Sequence, residues 1–224
     1  NTNSNVPVTV EAGLSGVTAI SAKGDFTCAL LINGEVKCWG KNTSGQLGDG
    51  TTNSSSLPVL VGNGLVDVIQ ISAGTEHACA LIGGAGVENG KVKCWGKNNS
   101  GQLGIGTNTS SSLPVLINEG LSNVDQISMG EDFSCALMGG VSADQGQVKC
   151  WGLNSFSQLG DLTKTNRNKP VYRLSHGLSD AVYAGLRATC TINQDKNMLC
   201  TGYNYMGWLK ALAPSSEFVS GLNN

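Results

Sequence analysis

Apolar and polar residues alternate with a period of two along most of the chain, in short stretches separated by segments rich in glycine, serine and asparagine. Between residues 57 and 96 this alternation predicts four successive strands, at 57–61 (LPVLV), 68–74 (VIQISAG), 77–82 (HACALI) and 91–96 (KVKCWG). No stretch sustains the 3.6-residue period, with capping residues, of an amphipathic helix. The pattern therefore predicts an all-β protein.

The four-strand pattern recurs with a fixed period. Trp39, Trp95 and Trp151 follow one another at intervals of 56 residues, and a fourth, degenerate copy has Thr201 in the tryptophan position. A unit of this length is too small to bury a core of its own, so such repeats stack into solenoids or propellers. Four strands per unit are the content of a propeller blade.

The same period predicts how the chain is organised. We expect one repeat domain over residues 1–224, with blades at 6–40, 57–96, 113–152 and 169–202 and with 203–224 as a closing or capping segment. The last residues, APSSEFVSGLNN, repeat the pattern of an outer strand for a blade that does not follow. Because an unpaired strand edge favours association, we expect the open edge to be covered, either by the C-terminal segment or by another subunit.

The repeated motif resembles a known family. Its copies read VKCWGKNTSGQLGDGTT at 36–52, VKCWGKNNSGQLGIGTN at 92–108 and VKCWGLNSFSQLGDLTK at 148–164, and they are similar to the repeat of the regulator of chromosome condensation. The resemblance implies a β-propeller of four-stranded blades, usually about seven in this family. Four copies therefore predict an incomplete or unusually closed ring. Within the family, the resemblance implies the secreted, disulfide-containing bacterial type.

The eight cysteines predict four cross-strand disulfides and an oxidising compartment, since their number is even and no CxxC pair suggests a zinc site. A three-residue hairpin loop at 32–34 makes Cys28 and Cys38 a non-hydrogen-bonded pair, close enough for a direct bridge. The other copies repeat this spacing or lengthen only the hairpin tip. The predicted bridges are Cys28–Cys38, Cys79–Cys94, Cys135–Cys150 and Cys190–Cys200.

Sequons for N-glycosylation, which matter only in a eukaryotic secretory pathway, begin at Asn42, Asn53, Asn98 and Asn108.

Charge and hydropathy narrow the class of function. The chain has 14 Lys and Arg against 16 Asp and Glu, a net charge of −2, and so lacks the basic footprint of a nucleic-acid-binding protein. No apolar run approaches the roughly 18 residues of a membrane span, so no membrane insertion is expected. The first residues, NTNSNVPV, lack the basic and apolar parts of a signal peptide, so a secretion signal would lie outside this segment.

Residues capable of catalysis are few. His77 occupies a position that Phe133 fills in the next copy, which indicates packing, and His176 lies in a segment expected to be an exposed loop. Asp49 and Asp161 stand in turns without the series of oxygen ligands of a calcium loop. We therefore expect no enzyme activity, no metal and no cofactor.

The aromatic residues of the last two copies interrupt the repeat. Where earlier copies read NTSGQLG or NNSGQLG, the third reads NSFSQLG and the fourth reads NYMGWLK. Bulky side chains thus gather on one loop of adjacent blades, and they predict a ligand-binding surface of Phe156, Tyr205, Met206 and Trp208. Packing against the N-terminal segment or against an absent neighbour explains the same residues equally well.

Together these observations favour a non-catalytic, extracellular recognition module, for which the resemblance implies an example in the tip of a surface adhesin or fibre. Its partner would be a protein or glycan ligand on a surface, with no nucleic acid. The resemblance implies two alternatives. One is a secreted protein-binding inhibitor of an enzyme such as a β-lactamase, and the other is an exchange factor for a small GTPase. The predicted disulfides count against the GTPase factor, which works in a reducing compartment.

Overall fold

The structure is a computed structural model that describes residues 4–10, 14–62, 65–84, 86, 89–140, 144–174 and 177–204. In this part of the chain, fifteen strands form four antiparallel sheets, and no residue is helical. The predicted all-β class, with sheets that resemble propeller blades, is confirmed.

The strands follow the chain order within each sheet. The first sheet holds β1 (Val17–Lys23), β2 (Phe26–Leu31), β3 (Val36–Gly40) and β4 (Ser55–Leu60). The second holds β5 (Val68–Ala73), β6 (His77–Ile82), β7 (Val92–Gly96) and β8 (Ser111–Leu116). The third holds β9 (Val124–Met129), β10 (Phe133–Met138), β11 (Val148–Gly152) and β12 (Arg167–Tyr172). The fourth holds β13 (Ser179–Ala184), β14 (Ala188–Asn193) and β15 (Met198–Gly202).

The structure groups the outer strands differently from the predicted blades. The segment at 57–61, predicted to open the second blade, belongs to β4 and pairs with β3 of the first sheet, where Lys37 faces Leu60. The cause is the long loop after β3, which turns the chain back along that strand. Residues 6–10, predicted as the outer strand of the first blade, form no strand among the described residues, and Val8 is exposed.

One disulfide crosses the middle hairpin of each sheet, as predicted. The four bridges join Cys28–Cys38, Cys79–Cys94, Cys135–Cys150 and Cys190–Cys200. The partners lie directly opposite each other in the strand register, with Cα atoms 4.0–4.1 Å apart. Such a short separation is typical of non-hydrogen-bonded pairs, which is why the spacing along the sequence specifies the bridge.

Tryptophan joins neighbouring sheets. Trp95 and Trp151 are fully buried, and each indole Nε1–H donates to the carbonyl oxygen of a glutamine in the preceding sheet, Gln46 or Gln102, at 2.9 Å. Gly104 has a φ of +72°, and a Cβ there would lie 2.7 Å from Nε1 of Trp151. The glycine of the Gln-Leu-Gly turn is therefore required by both backbone conformation and indole packing.

The fourth sheet lacks this tryptophan, and an arginine fills the space. Arg173 is buried, and its guanidinium donates to the Thr191 hydroxyl at 3.3 Å and to the Leu199 carbonyl at 3.2 Å. Its aliphatic part lies against Gly160, where the other junctions place an indole. Burial lowers the pKa of Arg173 to about 10, so the group stays charged at neutral pH.

Candidate functional site

Buried asparagines fix the long loops that follow the third strand of each of the first three sheets. Asn154 is fully buried. Its Oδ1 accepts the backbone N–H of Leu159 at 3.0 Å, and its Nδ2 donates to the carbonyl oxygens of Thr163 and Thr165. Asn42 and Asn98 make the equivalent bonds in the first two sheets. Each loop is therefore a rigid platform, because one side chain satisfies several backbone groups at once.

The same contacts divide the four sequons. Asn42 and Asn98 are fully buried and hydrogen-bonded through both side-chain atoms, so neither amide is accessible in the folded protein. Asn53 and Asn108 are exposed on the loop surface. Two of the four sequons therefore carry structural asparagines.

The loops and the turns between the first and second strands of each sheet together form one surface, which we call the loop face. On its first half, charged residues link the sheets. Lys41 pairs with Glu76 of the second sheet at 2.7 Å, and Lys97 pairs with Glu76 and with Asp132 of the third sheet, both at 3.3 Å. The hydrogen bond from Lys41, followed by that from Lys97, holds the pKa of the Glu76 carboxyl below its usual range. This half of the face is therefore a balanced series of ion pairs.

A polar groove accompanies these ion pairs. It has a volume of about 460 Å³ and lies between the loops of the first two sheets. Its lining is made of hydroxyl, amide and charged groups, with no large apolar side chain: Thr43, Ser44, Thr52, Glu76, Lys97, Asn99, Ser110 and Ser112. Such a lining lacks the apolar surface that small-molecule sites usually provide.

The pattern of charges is broken between the third and fourth sheets. Leu153 stands in the position of Lys41 and Lys97, and Arg187 stands in the position of the acidic residues Glu76 and Asp132. The backbone confirms these equivalences, because the N–H after each third strand donates to the turn residue of the same sheet. The lysine–carboxylate pairs of the other junctions therefore cannot form here.

Aromatic rings gather around Arg187 instead. The rings of Phe156 and Tyr203 are tilted by 57° with centroids 4.7 Å apart, and the guanidinium carbon of Arg187 lies 5.4 Å and 5.9 Å from the two centroids. Arg187 Nε also donates to Glu131 of the third sheet at 2.7 Å. We call Phe156, Arg187 and Tyr203 the aromatic–arginine cluster. Phe156 is half-buried and Tyr203 is exposed, and rings that solvent reaches beside a cation are typical of binding surfaces.

The structure covers part of the predicted ligand-binding set. Phe156 lies in the cluster, whereas Tyr205, Met206 and Trp208 lie outside the described residues. Sequence reasoning missed Arg187 and Tyr203. The signal was present in the aligned repeats, where an arginine replaces an acid and a tyrosine replaces a lysine, although their meeting depends on how two sheets pack.

The described histidine is a packing residue, as the repeat indicated. His77 is fully buried, with its Nε2 3.0 Å from the Ser134 hydroxyl, and burial lowers its pKa to about 3. Among the described residues, no three His, Cys, Asp or Glu side chains are placed to hold a metal ion. Within the same residues, no helix is long and apolar enough to cross a membrane.

Comparisons with known proteins agree with the fold. Two family models described as "Regulator of chromosome condensation (RCC1) repeat" match the chain, one at residues 33–81 and 89–137 and the other at 17–46. Together they span slightly more than half of the chain. Their matches run across the first two sheets and into the third.

One similar curated protein is the E3 ubiquitin-protein ligase HERC2 of Mus musculus, 30% identical over 220 residues. The alignment covers 93% of this chain but 4% of that protein, so the chain corresponds to a small part of the relative. This relative is a eukaryotic ligase, and it gives no support to the expected secreted bacterial type.

Solved structures share the architecture. Human WBSCR16 superposes with a TM-score of 0.71 at 25% identity, over 84% of this chain and 47% of that one. The CRINKLY WD40 ectodomain of the receptor kinase ACR4 from Arabidopsis thaliana gives 0.52 at 22% identity, over 84% and 53%. The chain therefore spans about half the length of these propellers.

Proposed function

The chain belongs to the regulator of chromosome condensation (RCC1) repeat family, and we propose that it is a non-catalytic recognition module that acts outside the cell. It binds a protein or glycan ligand through the loop face of its third and fourth sheets. The main observation behind this proposal is the aromatic–arginine cluster. This junction holds two aromatic rings around a guanidinium, whereas the other two junctions hold lysine–carboxylate ion pairs.

The scaffold supports a binding role. The buried Asn154 fixes the loop of the third sheet that carries Phe156, so a ligand binds there without the entropic cost of ordering that loop. Phe156 is positioned by its own loop, because its backbone N–H donates to the side chain of Gln158. The ring is therefore presented at a fixed height above the sheet.

The disulfides support a location outside the cell. Three of the four bridges join cysteines that are almost fully buried, and none of the eight cysteines is free. Bridges of this kind form and persist in oxidising environments. The same fold occurs in a receptor ectodomain, so the fold itself is compatible with a place outside the cell. A count of free thiols on the native protein separates this proposal from a GTPase factor in a reducing compartment.

A binding screen tests the proposal. The purified chain is screened against a glycan array and a panel of secreted and surface proteins, and hits are quantified with Phe156→Ala. Losing an aromatic contact at the centre of an interface should weaken binding at least tenfold and leave the melting temperature nearly unchanged. Ser100→Ala, at the equivalent position of the second sheet, is the matched control. Trp208→Ala should behave like Phe156→Ala if the predicted surface extends to that residue.

Two results would contradict the proposal. One is the absence of any ligand from both panels. The other is a ligand whose affinity falls with Ser100→Ala but not with Phe156→Ala, since this would move recognition to the ion-paired half of the loop face. A ligand that proves to be a soluble enzyme, inhibited on binding, would favour the inhibitor alternative.

A further inference from the structure

The junction between the second and third sheets contains a built-in carboxylate site. Gln102 is fully buried, and its Oε1 accepts the backbone N–H of Ser100 at 2.9 Å. Its Nε2 donates to the Asp132 carboxylate, also at 2.9 Å. Asp132 stands on the turn between β9 and β10. A glutamine of one sheet thus binds an aspartate that a turn of the next sheet presents.

The next junction repeats the glutamine without the aspartate. Gln158 is fully buried, and its Oε1 accepts the backbone N–H of Phe156 at 2.9 Å, as Gln102 does with Ser100. The position of Asp132 is taken by Arg187, which cannot accept a hydrogen bond. Accordingly, the Gln158 Nε2 has no hydrogen-bond partner among the described residues. A buried amide without an acceptor costs free energy, and an added acceptor would recover it.

The groups around Gln158 suit a negatively charged acceptor. Arg187 takes the turn position that Asp132 has at the neighbouring junction. Its guanidinium Nε donates to Glu131, and its terminal nitrogens carry further N–H donors. Phe156 and Tyr203 flank the guanidinium. Tyr203 is 42% exposed and the Arg187 side chain 44%, so solvent reaches the guanidinium, whereas the Gln158 Nε2 is buried.

We infer that this place binds the carboxylate of an aspartate or glutamate side chain from a protein partner. The carboxylate accepts hydrogen bonds from Gln158 Nε2 and from the Arg187 guanidinium, next to the two rings. This inference rests on the proposed function and names the chemistry of its partner. A protein side chain is favoured because the template at the neighbouring junction is itself an aspartate on a turn.

The junction between the first and second sheets has the same buried glutamine but a different charge beside it. Gln46 Nε2 also lacks a partner among the described residues. There, however, the turn position holds an acid, Glu76, which pairs with Lys41 and Lys97, whereas the same position at the third junction holds a cation, Arg187. Of the three glutamines, Gln158 combines an unpartnered amide with a cation at the turn position.

A titration of the full chain with two hairpin peptides tests this inference. Both carry the turn of residues 130–133 with alanine for glutamate, one with its aspartate (GADF) and one with asparagine in that place (GANF). In proton–nitrogen NMR spectra, the aspartate peptide should shift the signals of the Gln158 side-chain amide and of Arg187 Nε–H. The asparagine peptide should bind at least tenfold more weakly. Equal binding of the two peptides would overturn the inference without any mutation.

Two charge-reversal variants test whether the peptide binds beside Arg187. Arg187→Asp restores the acid of the other junctions and should abolish binding of the aspartate peptide. Lys169→Asp makes the same charge change at a surface ion pair with Glu119 and should leave binding unchanged. If both variants weaken binding equally, net charge explains the effect and the site is refuted.

The remaining outcomes separate this site from the proposed function. Shifts at Gln158 with N-acetylneuraminic acid but not with the aspartate peptide would overturn the protein-partner inference. Glu217 is a carboxylate of the C-terminal segment, outside the described residues. Peptide binding that appears only after Glu217→Gln would show that the chain occupies its own site, which also overturns the inference. If a ligand from the screen binds Arg187→Asp unchanged, recognition stands and the carboxylate site falls. If the peptide binds and the screen finds no ligand, the carboxylate site stands and the proposed recognition of a surface ligand falls.

Discussion

At the scale of single residues, one position of the repeat shows how packing overrides chemical identity. The first residue of the second strand is Phe26, His77, Phe133 or Ala188 in the four sheets. The imidazole of His77 fills the same buried space as the phenyl rings and bonds to the Ser134 hydroxyl through Nε2. Its Nδ1 has no partner among the described residues. Protonation would place a charge there without compensation.

We therefore predict that His77 makes stability fall in acid. Burial, with smaller effects from Lys23 and Lys97, lowers its folded pKa to about 3 from an ordinary 6.5. The unfolded chain binds the proton more readily, so this contribution is complete above pH 6.5 and is lost as the pH falls towards 3. Urea unfolding should show that His77→Phe removes roughly 3 kcal/mol of the loss between pH 7 and pH 4. The same pH dependence in both proteins would contradict the prediction.

At the scale of elements, the packing contact, or joint, between the third and fourth sheets is made by different side chains from those of the two joints before it. Trp151 and its neighbour Ile117 complete the previous joint, whereas Thr201 and Arg173 occupy the corresponding positions here. Among the described residues, the Arg173 Nε has no hydrogen-bond partner and no carboxylate pairs with the guanidinium. A buried charge without a counter-charge is costly, so this joint should be the weakest of the three.

Replacing both residues should strengthen the joint. Arg173→Val with Thr201→Trp recreates the valine and tryptophan of the first joint, and we expect the double variant to be about 1–3 kcal/mol more stable than the native chain. Thr201→Trp alone should destabilise through overpacking, and Arg173→Val alone should leave a cavity. Chemical unfolding of all four proteins measures the coupling. Additive single effects would show that the two side chains do not share one space.

At the scale of the whole molecule, the four sheets leave a face uncovered. Val68 and Ile71 of β5 are 5% and 8% exposed, because they face the first sheet. Their equivalents in β1, Val17 and Ile20, are 42% and 71% exposed. The first sheet thus presents to solvent the apolar surface that its repeats bury. Exposed apolar surface of this kind marks an interface.

We predict that this open end of the array is covered in solution. If a second subunit covers it, Ile20→Asp should convert an oligomer into a monomer in light-scattering measurements, and Leu162→Asp, at an exposed residue of another loop, should not. If the C-terminal segment covers it, the protein is a monomer in which β1 exchanges its amide hydrogens faster once residues 205–224 are removed. A monomer with a protease-sensitive C-terminal segment and unchanged exchange in β1 would contradict both versions.

The sequence by itself determined the local structure. The alternation gave β6 its bounds to the residue, and the ten-residue spacing of Cys28 and Cys38 specified their bridge. Both are properties of a hairpin, in which strand register depends on a few adjacent residues. The 56-residue period, with four strands in each unit, also predicted stacked blade-like sheets, because stacking of similar units needs no information beyond the repeat.

Tertiary structure decided what depends on distant pairing. The strand at 57–61 could pair with the hairpin before or after it, and its alternation is the same in either case; the fold assigned it to β3. Likewise, aligned repeats single out Phe156, but the sequence does not show that it meets Arg187 and Tyr203 or that Gln158 lies buried without an acceptor. These contacts join residues of two sheets, and the packing angle between sheets is set by the whole core rather than by any short segment.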